Sequence, residues 1–241
     1  MSSPLVIIQA RENSSRLPGK IHADICGMSM LAHVVMRASR IALVVIAKPS
    51  NQEDENDVLS RYARVARANP DADPLIRITA DCPLLDSGLG LGILDRYLQG
   101  RHDVVGTSPA FDGLDVEVFS RVALRTADMF AQRGRDREHV TPWMKRHLLY
   151  EEVNLRGPAL RWSVDDAEGL EFVRAVFSAC EECRVGTPHH TNSATSIGGM
   201  DRSPVWCLHQ VDRPDNRGGL VECTAFDILK TRMGGEVYES A

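Results

Sequence analysis

Apolar and polar positions switch repeatedly between two periods along the chain, and the switching predicts an α/β fold. Residues 5–9 (LVIIQ) are an apolar run, the pattern of a strand covered on both faces of a parallel sheet. After a polar loop, residues 28–39 place Met28, Leu31, Val34, Val35 and Ala38 at helical spacing. Residues 41–47 (IALVVIA) predict a second strand. An acid-rich polar turn over 48–56 leads to an amphipathic helix over 58–68, stopped by Asn69-Pro70. Residues 75–79 (LIRIT) predict a third strand, ending at Ala80-Asp81-Cys82-Pro83.

Further on, the pattern predicts a helix over 91–99, a short strand from Val104 and Val105, and a strand over 116–119 (VEVF). Helices are expected over 123–132 and 139–149, a strand over 160–164 (LRWSV), and a helix over 167–180 with Glu168 and Glu171 near its start. Such alternation predicts a mostly parallel sheet with helices on both faces and a ligand site beyond the carboxyl ends of its strands. After Cys183 the texture changes. Residues 186–219 are rich in Gly, Pro, Ser, Thr, His and Asp without a sustained period, and residues 220–229 predict one last short helix. The expected division is a catalytic domain over 1–183 and an irregular extension over 184–241.

At 241 residues, one sizeable core is expected. A formal net charge of −5 argues against a nucleic-acid partner while leaving room for a local cation cluster in a cleft. No run approaches the roughly 20 apolar residues of a membrane span, and the first run is too short for a secretory signal. Without a signal, the 6 cysteines read as reduced thiols, so a cytoplasmic protein is expected.

Chemistry concentrates at the predicted strand ends. In the loop 10–20, Ser14, Ser15 and Gly19 let backbone N–H groups approach an anion, and Arg11, Arg16 and Lys20 add cations. The set suits a triphosphate or, alternatively, is a solvated basic turn; it is not a Walker P-loop. Asp81 closes one strand and Asp165 the segment LRWSVDD, so the two carboxylates can converge on one Mg²⁺, which takes one or two carboxylates plus substrate phosphates. Asp165 and Asp166 serve equally well as helix caps. Asp115, Glu117, Arg137, Glu138 and His139 supply the hydrogen-bonding groups a polyhydroxylated substrate needs, although Thr141-Pro142 also reads as a helix start. Cys180 and Cys183, with His189, His190, Cys207 and His209, lack a second pair at finger spacing, which disfavours zinc. Gly88, Gly90 and Gly92 do not match a dinucleotide fingerprint.

Six segments together, IIQARENSSRLPGK (7–20), DVLSRY (57–62), RITADCPLLD (77–86), GLDVEVF (113–119), REHVTP (137–142) and RWSVDD (161–166), carry a resemblance. The chain resembles the spore-coat polysaccharide biosynthesis cytidylyltransferases, relatives of the 3-deoxy-manno-octulosonate and acylneuraminate cytidylyltransferases. That resemblance implies a three-layer, Rossmann-like nucleotide-diphosphosugar transferase fold and transfer of CMP from CTP to a sugar acid or related anionic acceptor, with Mg²⁺ as cofactor. It implies that Gln9, Ala10, Arg11, Ser14, Ser15, Arg16, Lys20, Arg77, Thr79 and Asp81 hold the nucleotide. Arg11, Lys20, Asp81 and Asp165 would carry catalysis, with Asp81 and Asp165 on the metal. Asp115, Glu117, Arg137, Glu138 and His139 would face the acceptor. The family has a further helix and strand where this chain has only KPSNQEDEN (48–56), so one sheet edge is expected to be exposed and to offer a homodimer a pairing surface. The alternatives are a non-catalytic nucleotide-binding homologue and a same-fold glycosyltransferase that uses a nucleotide sugar.

Overall fold

The first apolar run becomes strand β1 (Ser3–Gln9), with Leu5, Val6, Ile7 and Ile8 all buried. The computed structural model describes residues 2–12, 14–50, 55–108, 112–132, 134–155 and 161–179, together with 208–209 and 221–222. After β1 the loop closes in a 3₁₀ turn (Lys20–His22), and a hairpin of β2 (Asp24–Ile25) and β3 (Met28–Ser29) leads into helix α1 (Met30–Ala38). The chain continues through β4 (Leu43–Ala47), α2 (Val58–Ala68), β5 (Ala72–Thr79), α3 (Ser87–Gln99), β6 (Val104–Thr107) and β7 (Glu117–Phe119). It then forms α4 (Arg121–Phe130), α5 (Arg135–His139), α6 (Pro142–His147), β8 (Tyr150–Val153) and α7 (Ala167–Ala179).

Short polar side chains begin the helices where expected. Ser29, Asp57, Asp86 and Ser120 each accept a backbone N–H from three residues on, at 3.2, 3.0, 3.0 and 2.9 Å. Asp86 explains why α3 starts at Ser87 and not near Leu91.

The six-stranded sheet has the order β4-β1-β5-β7-β6-β8. Strand β1 pairs in parallel with both β4 and β5, β6 with β8, and β7 runs antiparallel to its two neighbours. Side chains of β1 alternate between two cores. Val6 and Ile8 join Ile76, Ile78, Val105 and Val118 under α1, α3 and α7. Leu5 and Ile7 join Leu75, Val104 and Phe119 under α2, α4 and α6. Helices therefore cover both faces, as the continuous apolar run demands. Strand β4 lies at the sheet's edge, with Leu43 71% and Ile46 36% exposed. No helix among the described residues is long and apolar enough to cross a membrane.

Three expected elements differ. Among the described residues of the predicted strand 160–164, the chain crosses the sheet's end as a loop, with Trp162 N bonding the Asp112 carbonyl at 2.7 Å and Val164 N the Asp81 carbonyl at 2.8 Å. Its apolar side chains, Trp162 and Val164, fill the core from that loop. The predicted helix 139–149 is confined to α6, because Val140 takes φ +71° after α5 ends at His139 and Pro142 then opens α6. Val221–Glu222 pairs as a short strand with Leu208–His209 instead of entering a helix. Cys180, Cys183, His189, His190 and Cys207 lie outside the described residues.

The crossing at Trp162 depends on Gly113. That residue sits at φ +96°, and a Cβ there would lie 2.4 Å from both Trp162 C and Ser163 N. Both neighbours are backbone and cannot swing aside. Gly113→Ala is expected to destabilise the fold by roughly 2–4 kcal/mol, measured as a lower urea midpoint.

Candidate active site

Strands β1 and β5 end side by side, Gln9 opposite Thr79, and a cleft of about 500 Å³ opens beyond them. Of the residues expected to hold nucleotide, Gln9, Ala10, Arg11, Arg16, Lys20, Arg77, Thr79 and Asp81 line it. Ser14 is buried and Ser15 exposed in the same loop, both outside the lining. Asp165 joins the lining, as do Asp115, Glu138 and His139 from the acceptor group. Glu117 and Arg137 do not.

The loop is shaped by its own backbone. Gly19, at φ +68°, donates to the Glu12 carbonyl at 3.0 Å, and Lys20 N donates to the Leu17 carbonyl at 3.2 Å. The fold leaves Arg11 and Arg16 exposed and turns Lys20 inward, to 7% exposure. Lys20 Nζ then donates to Asp81 Oδ2 at 2.8 Å, to Asp165 Oδ1 at 3.1 Å and to the Val164 carbonyl at 2.7 Å. An ammonium has three donors, and all three are used. The cation that the sequence suggested for triphosphate sits here between the two carboxylates.

Asp165 and Asp166 divide the labour that the sequence left open. Asp166 Oδ1 accepts from Gly169 N at 2.8 Å at the start of α7, which leaves Asp165 to face the cleft. Burial pushes the Asp165 carboxyl up, but Lys20, Arg16 at 3.3 Å and Arg161 at 2.9 Å outweigh it and hold the group below the usual carboxylate range. Asp165 is thus an anion at neutral pH. Cys82, beside Asp81, is no nucleophile: burial, then the charge of Asp81, push its thiol well up.

Beneath the cleft lies a buried ion network. Arg77 Nη1 donates to Glu117 Oε2 at 2.7 Å, while Arg77 Nε donates to Gln9 Oε1 at 3.1 Å. Glu117 Oε1 accepts from the Thr141 hydroxyl at 2.9 Å and meets Lys145 Nζ at 2.6 Å. Burial raises the Glu117 carboxyl, yet Arg77 and Lys145 win and hold it below its ordinary value of 4.5. A carboxyl whose folded value is depressed stabilises fully above its unfolded value and loses that contribution as pH falls through the folded one. Asp57 and Asp165 shift the same way, whereas burial pushes Asp115 up and opposes them. The urea midpoint is therefore expected to decline gently from near pH 6.5, because burial lowers His33 and His139 and the unfolded chain binds their protons first, and to fall steeply below about 4.5.

Arg137 is placed in the frame. Its Nε donates to Asp57 Oδ1 at 2.9 Å, and its Nη2 donates to the Ser60 hydroxyl at 2.6 Å and to Asp128 Oδ1 at 2.9 Å. It thereby clamps the α2 cap to α4 and joins the segments DVLSRY and REHVTP in space. Near it, burial lowers His139, so its imidazole is neutral at physiological pH.

Several lining residues were not singled out from the sequence. Ser163 donates to Asp112 Oδ2 at 2.9 Å, and both face the cleft. Arg61, 2% exposed, reaches the Ala10 and Ala47 carbonyls at 3.4 Å and fixes the loop's origin. Beneath the cleft, Lys145 was also missed although it had a signal, since it stands four residues after Thr141 and both reach Glu117. Among the described residues no cluster of three or more His, Cys, Asp or Glu side chains could hold a metal; Asp81, Asp112, Asp115, Glu138 and Asp165 all line the cleft, and Asp81 and Asp165 share one cation there.

A family model described as cytidylyltransferase matches residues 5–56. The spore coat polysaccharide biosynthesis protein SpsF of Bacillus subtilis (strain 168) is 26% identical over 216 residues, covering 76% of this chain and 89% of that protein. A 3-deoxy-manno-octulosonate cytidylyltransferase of Rhizobium etli is 52% identical over 214 residues, covering 71% of this chain and 82% of that one. The solved structure of a cytidylyltransferase from Leptospira borgpetersenii serovar Hardjo-bovis shares the fold, with a TM-score of 0.67 at 24% identity over 74% of this chain and 87% of that one. The resemblance drawn from the six segments is borne out, and so is the α/β fold.

Proposed function

From a chain that belongs to the cytidylyltransferase family, we infer an enzyme that transfers CMP from CTP to a sugar acid in surface polysaccharide synthesis. The observation that carries this reading is the convergence of Asp81 and Asp165 with the exposed loop cations Arg11 and Arg16 on one cleft at the strand ends. The acceptor oxygen forms a new bond to the α-phosphorus while the bond to the β-phosphate oxygen breaks, and pyrophosphate leaves. Arg11 and Arg16 stand where a triphosphate meets the loop and offset its charge. Asp115, Glu138 and neutral His139 line the cleft as hydrogen-bonding partners for acceptor hydroxyls.

Two partly exposed carboxylates drawn to one cation suit a hard divalent ion, which keeps waters and takes phosphate oxygens as its other ligands. Asp81 and Asp165 would hold Mg²⁺, which neutralises phosphate charge when bound. The chain's own residues otherwise act by position, holding reactants in line. The reaction draws on CTP of the cytoplasm, and the exposed β4 edge supports a homodimer, which light scattering of the purified chain would test.

A nucleotide-by-acceptor screen tests the reading. Pyrophosphate release that requires CTP, a divalent ion and a sugar acid supports it. Release of a nucleoside diphosphate from a nucleotide sugar would instead make the protein a glycosyltransferase.

A further inference from the structure

We propose that Lys20 is an exchangeable internal cation: it holds the two carboxylates together in the free enzyme and is expelled when the divalent ion arrives. The proposal rests on the reading of Asp81 and Asp165 as the metal pair. Lys20 Nζ contacts both acids, at 2.8 and 3.1 Å, and spends its third proton on the Val164 carbonyl at 2.7 Å. Buried to 7% exposure, it has no donor left for a phosphate oxygen. Arg16 and Arg161 reach Asp165, but among the described residues only Lys20 bridges the pair.

Two neighbouring carboxylates repel unless a cation lies between them. Lys20 supplies one, and so keeps the acids converged without a metal. A divalent ion needs the same oxygens and repels the ammonium, so it enters only as Nζ leaves. Arg11 and Arg16 of the same loop also line the cleft, and an incoming triphosphate drawn to them would give the displaced Nζ new acceptors. Weak metal binding alone and strong binding with nucleotide follow from this exchange, which couples the two ligands.

The test is a Mn²⁺ titration of the full chain without nucleotide, read by the electron-spin resonance of free Mn²⁺. Lys20→Met is expected to bind Mn²⁺ about tenfold tighter than wild type, because the competing charge is gone. Lys20→Arg, which keeps the charge, is expected to show no such gain. Equal or weaker binding by Lys20→Met overturns the proposal. If Mn²⁺ binding to Lys20→Met survives Asp81→Asn and Asp165→Asn unchanged, the metal reading itself falls, a separate failure. Wild type gives a second measurement that does not depend on how the variant folds. Reductive methylation followed by mass spectrometry is expected to spare Lys20 in the free chain and to label it at saturating Mn²⁺. Continued protection at saturation overturns the exchange.

Discussion

Asp81→Asn is expected to cut CTP-dependent pyrophosphate release by about 10²–10³-fold, a loss typical of removing one preorganised electrostatic group. The substitution keeps the side chain's volume and removes its charge. What fixes residue 81 in place is backbone: Ala80 N on the Gln9 carbonyl at 3.1 Å, and Val164 N on the Asp81 carbonyl at 2.8 Å. The carboxylate's own bond, from Lys20 Nζ at 2.8 Å, can be accepted by the amide oxygen of Asn while Asp165 still pairs the ammonium, so the strand ends are expected to stay as they are. Activity and stability should therefore separate. Initial rates of pyrophosphate release, measured beside a urea melt, check this, and an unimpaired rate would remove Asp81 from the metal site.

Glu117→Leu is expected to destabilise the protein by about 3–5 kcal/mol, the cost of stranding a buried charge. Arg77 and Glu117 have side chains only 11% and 7% exposed, and their 2.7 Å contact leaves little water to take over. Lys145, at 28% exposure, is partly solvated and contributes less. Against a usual margin of about 5–15 kcal/mol, such a loss lowers the urea midpoint severely. Arg77 also orients Gln9 in the cleft wall, so activity should decline with it. The double variant Arg77→Met, Glu117→Leu is expected to recover much of the stability, because the deeply buried guanidinium is then gone and the one cation left without Glu117, Lys145, is partly solvated. A Glu117→Leu variant within about 0.5 kcal/mol of wild type would show that the network carries no such weight.

Strands that carry an apolar run were legible in the sequence, edge strand β4 among them, and the polar strand at the opposite margin was not. Strand β1 is covered on both faces and reads as an unbroken apolar run. Strand β8, with the sequence YEEV, sits at the sheet's edge and carries too little apolar pattern to be found. Trp162 and Val164 gave the opposite error, since they are apolar for the core and belong to no strand. Caps were readable because they act locally. For the site, Asp81, Asp165, Arg11 and Arg16 could be placed in the cleft because strand ends and loops point there. Which of Asp165 and Asp166 caps α7 could not be read, as either suits the position. The partners of Lys20 are 61 and 145 residues away, and a contact of that range leaves no local pattern. Arg137 reaches Asp57 across 80 residues for the same reason.

Following the label of CTP carrying ³²P at its α-phosphate tests the central claim most directly. In the presence of Mg²⁺ and a 2-keto-3-deoxy sugar acid, the label is expected to move into a CMP-sugar in step with unlabelled pyrophosphate. Label that stays in CTP, or appears only as free CMP, across a broad panel of acceptors would contradict cytidylyl transfer at this cleft.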